Sequence, residues 1–380
     1  MKALEATELR AADPRLASRR TVVVAMSGGV DSAVTAALLA RAGHDVIGVT
    51  LQVWPEHDGG GRAGGCCSLG AVEDARRAAN RIGIPHYVLN FREHFGRSVI
   101  GHFIREYARG RTPNPCVECN RSVKFDELLR QARVLGADFL ATGHYARIRR
   151  DDAGRWRLYR GRDGAKDQSY VLYTLTQEQL ARTVMPLGDV GSKAETRQMA
   201  AELGLSVAGK PDSQEVCFVP REGYVPFLTR HAPGTLRPGR VVHVDGRDLG
   251  PHEGIAFYTL GQRRRLPATK GPPLYVVRID PATDTVIVGG ESDLYASRFT
   301  VADVNWIGGE APTGELAVLA RIRYNAAASP ARIEPARGGE VIRCRFAAPQ
   351  RAITPGQAAV FYREDEVLGG GTIESVEPEA

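Results

Sequence analysis

A run of β-branched and apolar residues, Thr21 to Ala25, leads into Met26-Ser27-Gly28-Gly29-Val30-Asp31-Ser32, and a helical pattern then continues until Gly43 stops it. This join constrains the fold more than any other stretch. A strand built only from Thr, Val and Ala suits a parallel sheet covered on both faces. The helix is expected over about 31–42, with Val34, Leu38 and Arg41 on one stripe. Between strand and helix, two glycines and two serines leave backbone N–H groups facing outward at a helix N-terminus. Unpaired donors and the positive end of the helix dipole coincide there, which favours an anion.

Ser-Gly-Gly-Val-Asp-Ser is more specific than a glycine-rich turn. It resembles the pyrophosphate-binding loop of the ATP pyrophosphatases, which cleave ATP between the α and β phosphates and pass AMP to an oxygen. An empty strand-to-helix turn would require the two glycines, the flanking hydroxyls and the preceding strand to coincide by chance. The sharper rival is a kinase or GTPase P-loop, but G-x-x-x-x-G-K-[ST] occurs nowhere in the chain. Chemistry at the α-phosphate is therefore preferred to transfer of the γ-phosphate.

Strands are expected at 46–53, 85–90 and 138–142, alternating with helices at 69–82, 93–108 and 123–135. That alternation indicates an α/β fold with a doubly wound parallel sheet, whose ligands bind at the carboxyl ends of the strands. Ser27 to Ser32, Leu51 and Gly143-His144 all fall at such ends. A helix over about 193–203, with Ser192 as N-cap and Glu195 completing a capping box, closes this domain. Gly59, Gly61 and Gly64 fit G-x-G-x-x-G, but the five residues 54–58 separate them from the strand, so they read as a mobile loop and not as a dinucleotide site. Cys66 and Cys67, just beyond, read as structural or incidental. After about Phe218 proline and glycine become frequent and short alternating segments replace helices. From about Gly289 the pattern is almost entirely β, as a small barrel requires. The expected division is a disordered tail over 1–19, a nucleotide-binding catalytic domain over 20–217, a small central domain over 218–288 and a barrel over 289–380, with Cys344 buried inside the barrel.

At 380 residues two or three domains are expected. No run approaches the ~18 apolar residues of a membrane span, and residues 1–19 lack the apolar centre of a secretory signal. Six cysteines are too few for a disulfide scaffold, so a reducing cytoplasm is the expected location. Net charge is +6, from 50 Lys and Arg against 44 Asp and Glu, and the segment 97–162 alone carries 15 basic and 7 acidic residues. A basic face beside an ATP site suits nucleic acid. The competing reading is a solvated, arginine-rich surface.

Two short segments hold the cysteines that could do chemistry. Arg111-Thr112-Pro113-Asn114-Pro115-Cys116-Val117-Glu118-Cys119-Asn120 places two thiols three apart at the start of a helix. There the helix N-terminus and Arg111, Arg121 and Lys124 should make a thiol more acidic. A structural zinc needs a second pair of ligands, and no second C-x-x-C exists. Cys217 follows the polar run Lys210-Pro211-Asp212-Ser213-Gln214-Glu215. It reads either as a buried hydrophobe or as a reactive thiol on an exposed loop.

Ser-Gly-Gly-Val-Asp-Ser, Thr-Pro-Asn-Pro-x-x-x-Cys-Asn, Ala-Thr-Gly-His-Tyr, Lys-Asp-Gln-Ser-Tyr, Asp-Ser-x-x-x-Cys-Phe, Thr-Leu-Gly-Gln-Arg and Thr-Pro-Gly-Gln-Ala stand in one order between about Val22 and Ile373. In that order the chain resembles the bacterial tRNA-specific 2-thiouridylases. The resemblance implies ATP-dependent replacement of the C2 oxygen of the wobble uridine by sulfur in tRNAs for Lys, Glu and Gln. ATP would be bound by Ala25, Met26, Ser27, Gly28, Gly29, Val30, Asp31, Ser32, Leu51 and Gly143, with Mg²⁺ offsetting charge on the departing pyrophosphate. Cys217 would carry the sulfur as a persulfide and Cys119 would be the nucleophile. Asn114, Pro115 and Cys116 would line the target base, and His144 and Gln357 would fix the flipped uridine. Lys166, Asp167, Gln168, Arg323 and Tyr324 would touch tRNA. A cysteine desulfurase or a relay protein would donate the sulfur, and the enzyme is expected to be a monomer.

Some family members have Asp where this chain has Cys116. Cys116, Cys119 and Cys217 could then hold a [4Fe–4S] cluster by three irons, as in related thiolation enzymes. The persulfide scheme is taken first and the cluster second. Another ATP pyrophosphatase, such as an amidating ligase or a lysidine synthetase, would keep the first motif without needing Cys119 and Cys217. An RNA-binding module would need the basic face and the barrel but not the phosphate loop.

Overall fold

The computed structural model describes residues 13–53, 69–212, 216–268, 271–336 and 339–377. Strands β1 (Thr21–Ala25), β2 (Asp45–Gln52), β3 (His86–Asn90), β4 (Phe139–Ala141) and, further along the chain, β7 (Thr183–Val184) form one parallel sheet in the order β3-β2-β1-β4-β7. Alternate residues of β1 feed two cores. Val22 and Val24 pack with Leu38 and Leu39 of helix α1 (Val30–Arg41), while Val23 joins Phe125, Leu128 and Leu140 on the other face. A strand covered on both sides explains why no polar residue interrupts it.

Helix α2 (Leu69–Ile82) matches its expected bounds. Helix α3 covers 92–108 and winds more widely, as a π-helix, over Gly96–Ile100. The next helix departs from expectation. α4 covers 115–134, starting at Pro115 and not near Val123, and it is π-wound over Cys119–Leu128. Proline at the first helical position, with Asn114 before it as cap, is a strong start signal that the Thr-Pro-Asn-Pro turn obscures. Helix α5 (Gln177–Ala181) precedes β7, and helix α6 (Lys193–Glu202) packs on α1. Ser192 does cap α6, its hydroxyl accepting from Glu195 N at 3.2 Å, but Glu195 reaches Gly191 N at 3.2 Å instead of Ser192. The expected box is thus only half formed.

The central sheet, in the order β10-β11-β8-β9, comprises β8 (Gly239–His243), β9 (Asp248–His252), β10 (Tyr275–Asp280) and β11 (Thr285–Gly289). It follows helix α7 (Tyr224–His231). The C-terminal strands are β12 (Tyr295–Trp306), β13 (Leu316–Arg321), β14 (Ser329–Ala336), β15 (Val341–Arg351), β16 (Ala358–Arg363) and β17 (Glu366–Glu377). They close through the β12–β17 pairing into a six-stranded barrel with Cys344 buried inside.

Two features of the first domain add to the expected division. The hairpin β5 (Ala146–Arg150) and β6 (Trp156–Arg160), covered by no expected strand, lies within residues 20–217 and is hydrogen-bonded to the barrel, with Leu158 opposite Val367. The tail expected over 1–19 does not extend to residues 13–19. There Leu16 is buried, and Arg15 donates to the Leu180 and Ala181 carbonyls at 2.9 and 3.1 Å. Arg15 also lies 4.4 Å from the centre of the Trp156 ring. The loop expected over 58–65 and Cys66-Cys67 lie outside the described residues. No helix among the described residues is long and apolar enough to cross a membrane.

Candidate active site

The strand order reverses between β1 and β4, and the carboxyl ends of strands at such a switch point are where parallel α/β sheets bind ligands. Both strands deliver conspicuous loops there. After β1, Met26 is buried and its carbonyl accepts from Thr50 Oγ1 at 2.8 Å. Ser32 Oγ accepts from Ser27 N at 3.1 Å and donates to the Gly29 carbonyl at 3.2 Å, closing the loop on itself. Gly28 has φ +69°, and a Cβ there would stand 2.1 Å from the Ala71 carbonyl oxygen. After β4, a Cβ on Gly143 would come within 2.8 Å of the Asp31 carbon and Ser32 nitrogen. The two glycines therefore let the loop lie between α2 and the β4 turn. Ala25 ends β1, Leu51 is one residue from the end of the neighbouring β2, and Val30 is buried at the first turn of α1.

Cations gather at this loop that the sequence motifs do not single out. Lys193 Nζ contacts the Asp31 carboxylate at 2.6 and 2.7 Å and Asp212 at 3.1 Å. Lys210 Nζ donates to the Gly28 carbonyl at 2.9 Å and to Asp74 at 2.6 Å. Asp212 also takes Lys166 at 2.9 Å and Arg197 at 3.0 Å. Burial alone would raise the Asp212 carboxyl, but hydrogen bonds from Lys166 and Lys193 outweigh it and hold the group below its usual value. Lone lysines at helix starts and turns carry no sequence signal; their distance from the Ser-Gly-Gly loop along the chain hid them. Helix-start amides with two ammonium groups beside them form a donor set that fits a polyphosphate.

Asn114 spends its side-chain oxygen on capping α4, accepting from Cys116 N at 3.1 Å and Val117 N at 3.3 Å. Cys116 and Cys119, three apart on the first turns of α4, share a face. Cys116 is exposed and Cys119 half-buried, and the buried Asn120 fixes this part of α4 by donating to the Val171 carbonyl at 3.0 Å. Half-buried Cys217 precedes Phe218, whose ring packs edge-on against Phe95 and Phe103 of α3 at 5.8 and 5.1 Å. The first turns of α4 contact the Gly96–Ile100 turn of that same helix. Both cysteine segments thus rest on α3, and no disulfide joins them. Among the described residues no three Cys, His, Asp or Glu side chains gather closely enough to hold a metal. Cys116, Cys119 and Cys217 therefore do not fit a cluster that needs all three as ligands.

The remaining site residues divide between a surface and its supports. Tyr324 lies at the surface on the barrel side beside Arg321, Asp167, Lys166 and Cys116; burial of its hydroxyl raises its pKa, with Arg321 and Lys166 opposing the shift and Asp167 and Cys116 adding to it. Asp167 itself is buried, accepting from Gly161 N, Ser169 N and Arg321 Nη1 at 3.2, 3.0 and 3.1 Å. It seats Arg321 and is not offered to a ligand. Gln168 accepts from Tyr145 N at 3.1 Å. Arg323 turns inward to the Arg351 and Ala352 carbonyls, and burial followed by the nearby Arg351 charge lowers its pKa. His144 is buried beside Phe125, bonded to Thr142 Oγ1 at 2.8 Å, and burial followed by Lys124 pushes its pKa well below the usual 6.5. Gln357 Nε2 donates to the Thr112 and Pro113 carbonyls at 2.9 and 3.2 Å. For Asp167, Arg323 and Gln357, side chains expected to meet RNA are bonded within the protein in this conformation.

Comparison with known proteins agrees with this organisation. Residues 20–221 match the family model described as a tRNA methyl transferase HUP domain, 226–290 a tRNA methyl transferase PRC-barrel domain, and 296–373 an aminomethyltransferase β-barrel domain. The tRNA-specific 2-thiouridylase MnmA of Heliobacterium modesticaldum is 54% identical over 357 residues, covering 93% of this chain and 92% of that protein. That of Moorella thermoacetica is 54% identical over 358 residues, covering 93% and 99%. That of Carboxydothermus hydrogenoformans is 51% identical over 359 residues, covering 94% and 98%. With a phosphate-binding loop at the sheet's switch point and identity of this order across all three domains, the chain belongs to the tRNA-specific 2-thiouridylase family.

Proposed function

We propose that this protein is an ATP-dependent tRNA-uridine 2-sulfurtransferase acting on the wobble uridine of tRNAs for Lys, Glu and Gln. The observation that carries the reading is the placement of loop 26–32 at the β1/β4 switch point together with two cysteine segments resting on one helix, α3. An amide-like C2 carbonyl has no usable leaving group until its oxygen is adenylated. The N-terminal amides of α1 with Lys193 and Lys210 bind and orient the triphosphate, so that the C2 oxygen attacks the α-phosphorus and pyrophosphate departs. Magnesium would be held chiefly by phosphate oxygens near Asp31, the carboxylate of the loop, and would neutralise the leaving pyrophosphate.

Sulfur arrives as a persulfide on Cys217. Its terminal sulfur attacks C2, AMP leaves, and the Cys119 thiolate then attacks the Cys217 sulfur. The base keeps the transferred sulfur as a thiocarbonyl, and a Cys119–Cys217 disulfide remains that a thiol reductant must open before the next turnover. In the alternative order Cys119 attacks first and frees sulfide to attack C2. Incubation with ATP, a persulfide donor and unmodified tRNA tests the proposal. The expected products are 2-thiouridine, AMP and pyrophosphate, and Cys119→Ser and Cys217→Ser should each abolish the thionucleoside. Thiolation that survives either substitution contradicts the assigned roles.

A further inference from the structure

The turn before β16 is fastened to the segment that leads into Cys119. The Pro355 carbonyl accepts from Thr112 N at 2.9 Å, and Gln357 Nε2 holds the Thr112 and Pro113 carbonyls. Gly356, at φ +90°, lies so close that a Cβ would stand 2.9 to 3.0 Å from the Thr112 backbone. Arg111 reaches Glu374 on β17 at 2.7 Å and Glu106 on α3 at 2.7 Å. The central domain touches the same stretch. Thr112 Oγ1 donates to Thr259 Oγ1 at 3.3 Å, and a Cβ on Gly110 would meet Ile279 Cγ2 at 2.5 Å. Residues 110–113 are thus held by all three domains.

Beyond Thr112 the chain is stiff. Pro113 and Pro115 fix φ on either side of Asn114, and Asn114 caps the helix that carries Cys116 and Cys119. A shift at Thr112 is therefore passed to the first turns of α4 and is not absorbed on the way.

We infer that Gln357 is a positioning residue for Cys119, its amide setting where α4 begins by holding the Thr112 and Pro113 carbonyls, with Gly356 and Glu374 gripping the same segment from the barrel. The inference deepens the sulfur-transfer reading and rests on it for the role of Cys119. It assigns Gln357 a task distinct from contact with the flipped uridine. The barrel and the start of α4 are then linked through one side chain.

The test compares Gln357→Glu, which keeps the side-chain volume but removes both donors, with Gly356→Ala and the wild-type protein. Three quantities are read: tRNA affinity, single-turnover thiolation, and the rate of Cys119 alkylation by iodoacetamide, followed by mass spectrometry without ATP or tRNA. Both variants should bind tRNA within about twofold of wild type and thiolate about 10–100-fold more slowly. Both should also alter the Cys119 alkylation rate severalfold. Weakened tRNA binding with unchanged alkylation would assign Gln357 to RNA contact and overturn the inference, as would wild-type behaviour in all three readouts. If Gly356→Ala does not fold, Gln357→Glu decides alone. The alkylation readout needs no turnover, so a wrong role for Cys119 in the chemistry would show as thiolation by Cys119→Ser, separately from failure of the clasp.

Discussion

At the residue scale, Gly28 and His144 carry much of the site's geometry. Gly28 combines a left-handed backbone with a carbonyl pressed against the place its Cβ would occupy. Gly28→Ala should therefore cost about 1–3 kcal/mol in denaturant unfolding and impair nucleotide binding; an alanine variant of wild-type stability would contradict the described loop. The glycine was legible from the motif, but the reason was not, because its partner, Ala71, belongs to another helix. His144 is held neutral by burial, so the unfolded chain binds a proton near pH 6.5 that the folded protein refuses. The unfolded state thus holds more protons below that pH, and stability falls on acidification. Between about pH 6.5 and 5, wild type should lose up to about 1.4 kcal/mol per pH unit more than His144→Gln. Parallel profiles of unfolding free energy against pH would contradict it. Motif matching found His144 but not its protonation state, which Phe125, Lys124 and Thr142 set through the fold. For Asp167, Arg323 and Gln357, chemistry legible as polar proved to be directed inward, since their partners lie far away in sequence.

At the element scale, periodicity recovered β1, α1, α2 and the barrel alternation, because each buries a regular face or repeats with period two. It missed the first turns of α4, where two prolines and an asparagine read locally as a turn. The structure makes Asn114 a cap, and this can be checked apart from catalysis. Asn114→Ala should lose about 1 kcal/mol of stability, and Asn114→Asp, which keeps the accepting oxygen, should lose little. Equal losses in the two would contradict the cap. The β5–β6 hairpin escaped the sequence reading for a related reason. Its own sequence states only that it alternates, and pairing with β17 is decided some 200 residues later along the chain.

At the scale of the whole molecule, the arginine-rich stretch 97–162 is less basic in space than in sequence. Arg111, Arg147, Arg149, Arg155 and Arg133 pair with Glu374, Asp365, Asp189, Glu310 and Glu178, all from outside that stretch. Counting charges along a chain cannot show such neutralisation. The domains also share a core: Val23 and Phe125 of the first, Phe227 and Leu228 near the second, and Val360 and Val367 of the barrel belong to one apolar cluster. Leu158, fully buried opposite Val367, should on truncation to Ala cost about 2–5 kcal/mol and lower the unfolding transition of the sheet domain and barrel together. Separate transitions, with only one of them shifted, would contradict a shared core. The central claim is that loop 26–32, Cys217 and Cys119 serve one reacting base. Its most direct test is a single turnover with ³⁵S-persulfide on Cys217, ATP and unmodified tRNA, without reductant. The account predicts label in 2-thiouridine, in step with AMP release and a new Cys119–Cys217 disulfide. Label that reaches the base at the wild-type rate in Cys119→Ser, or without ATP, would contradict it.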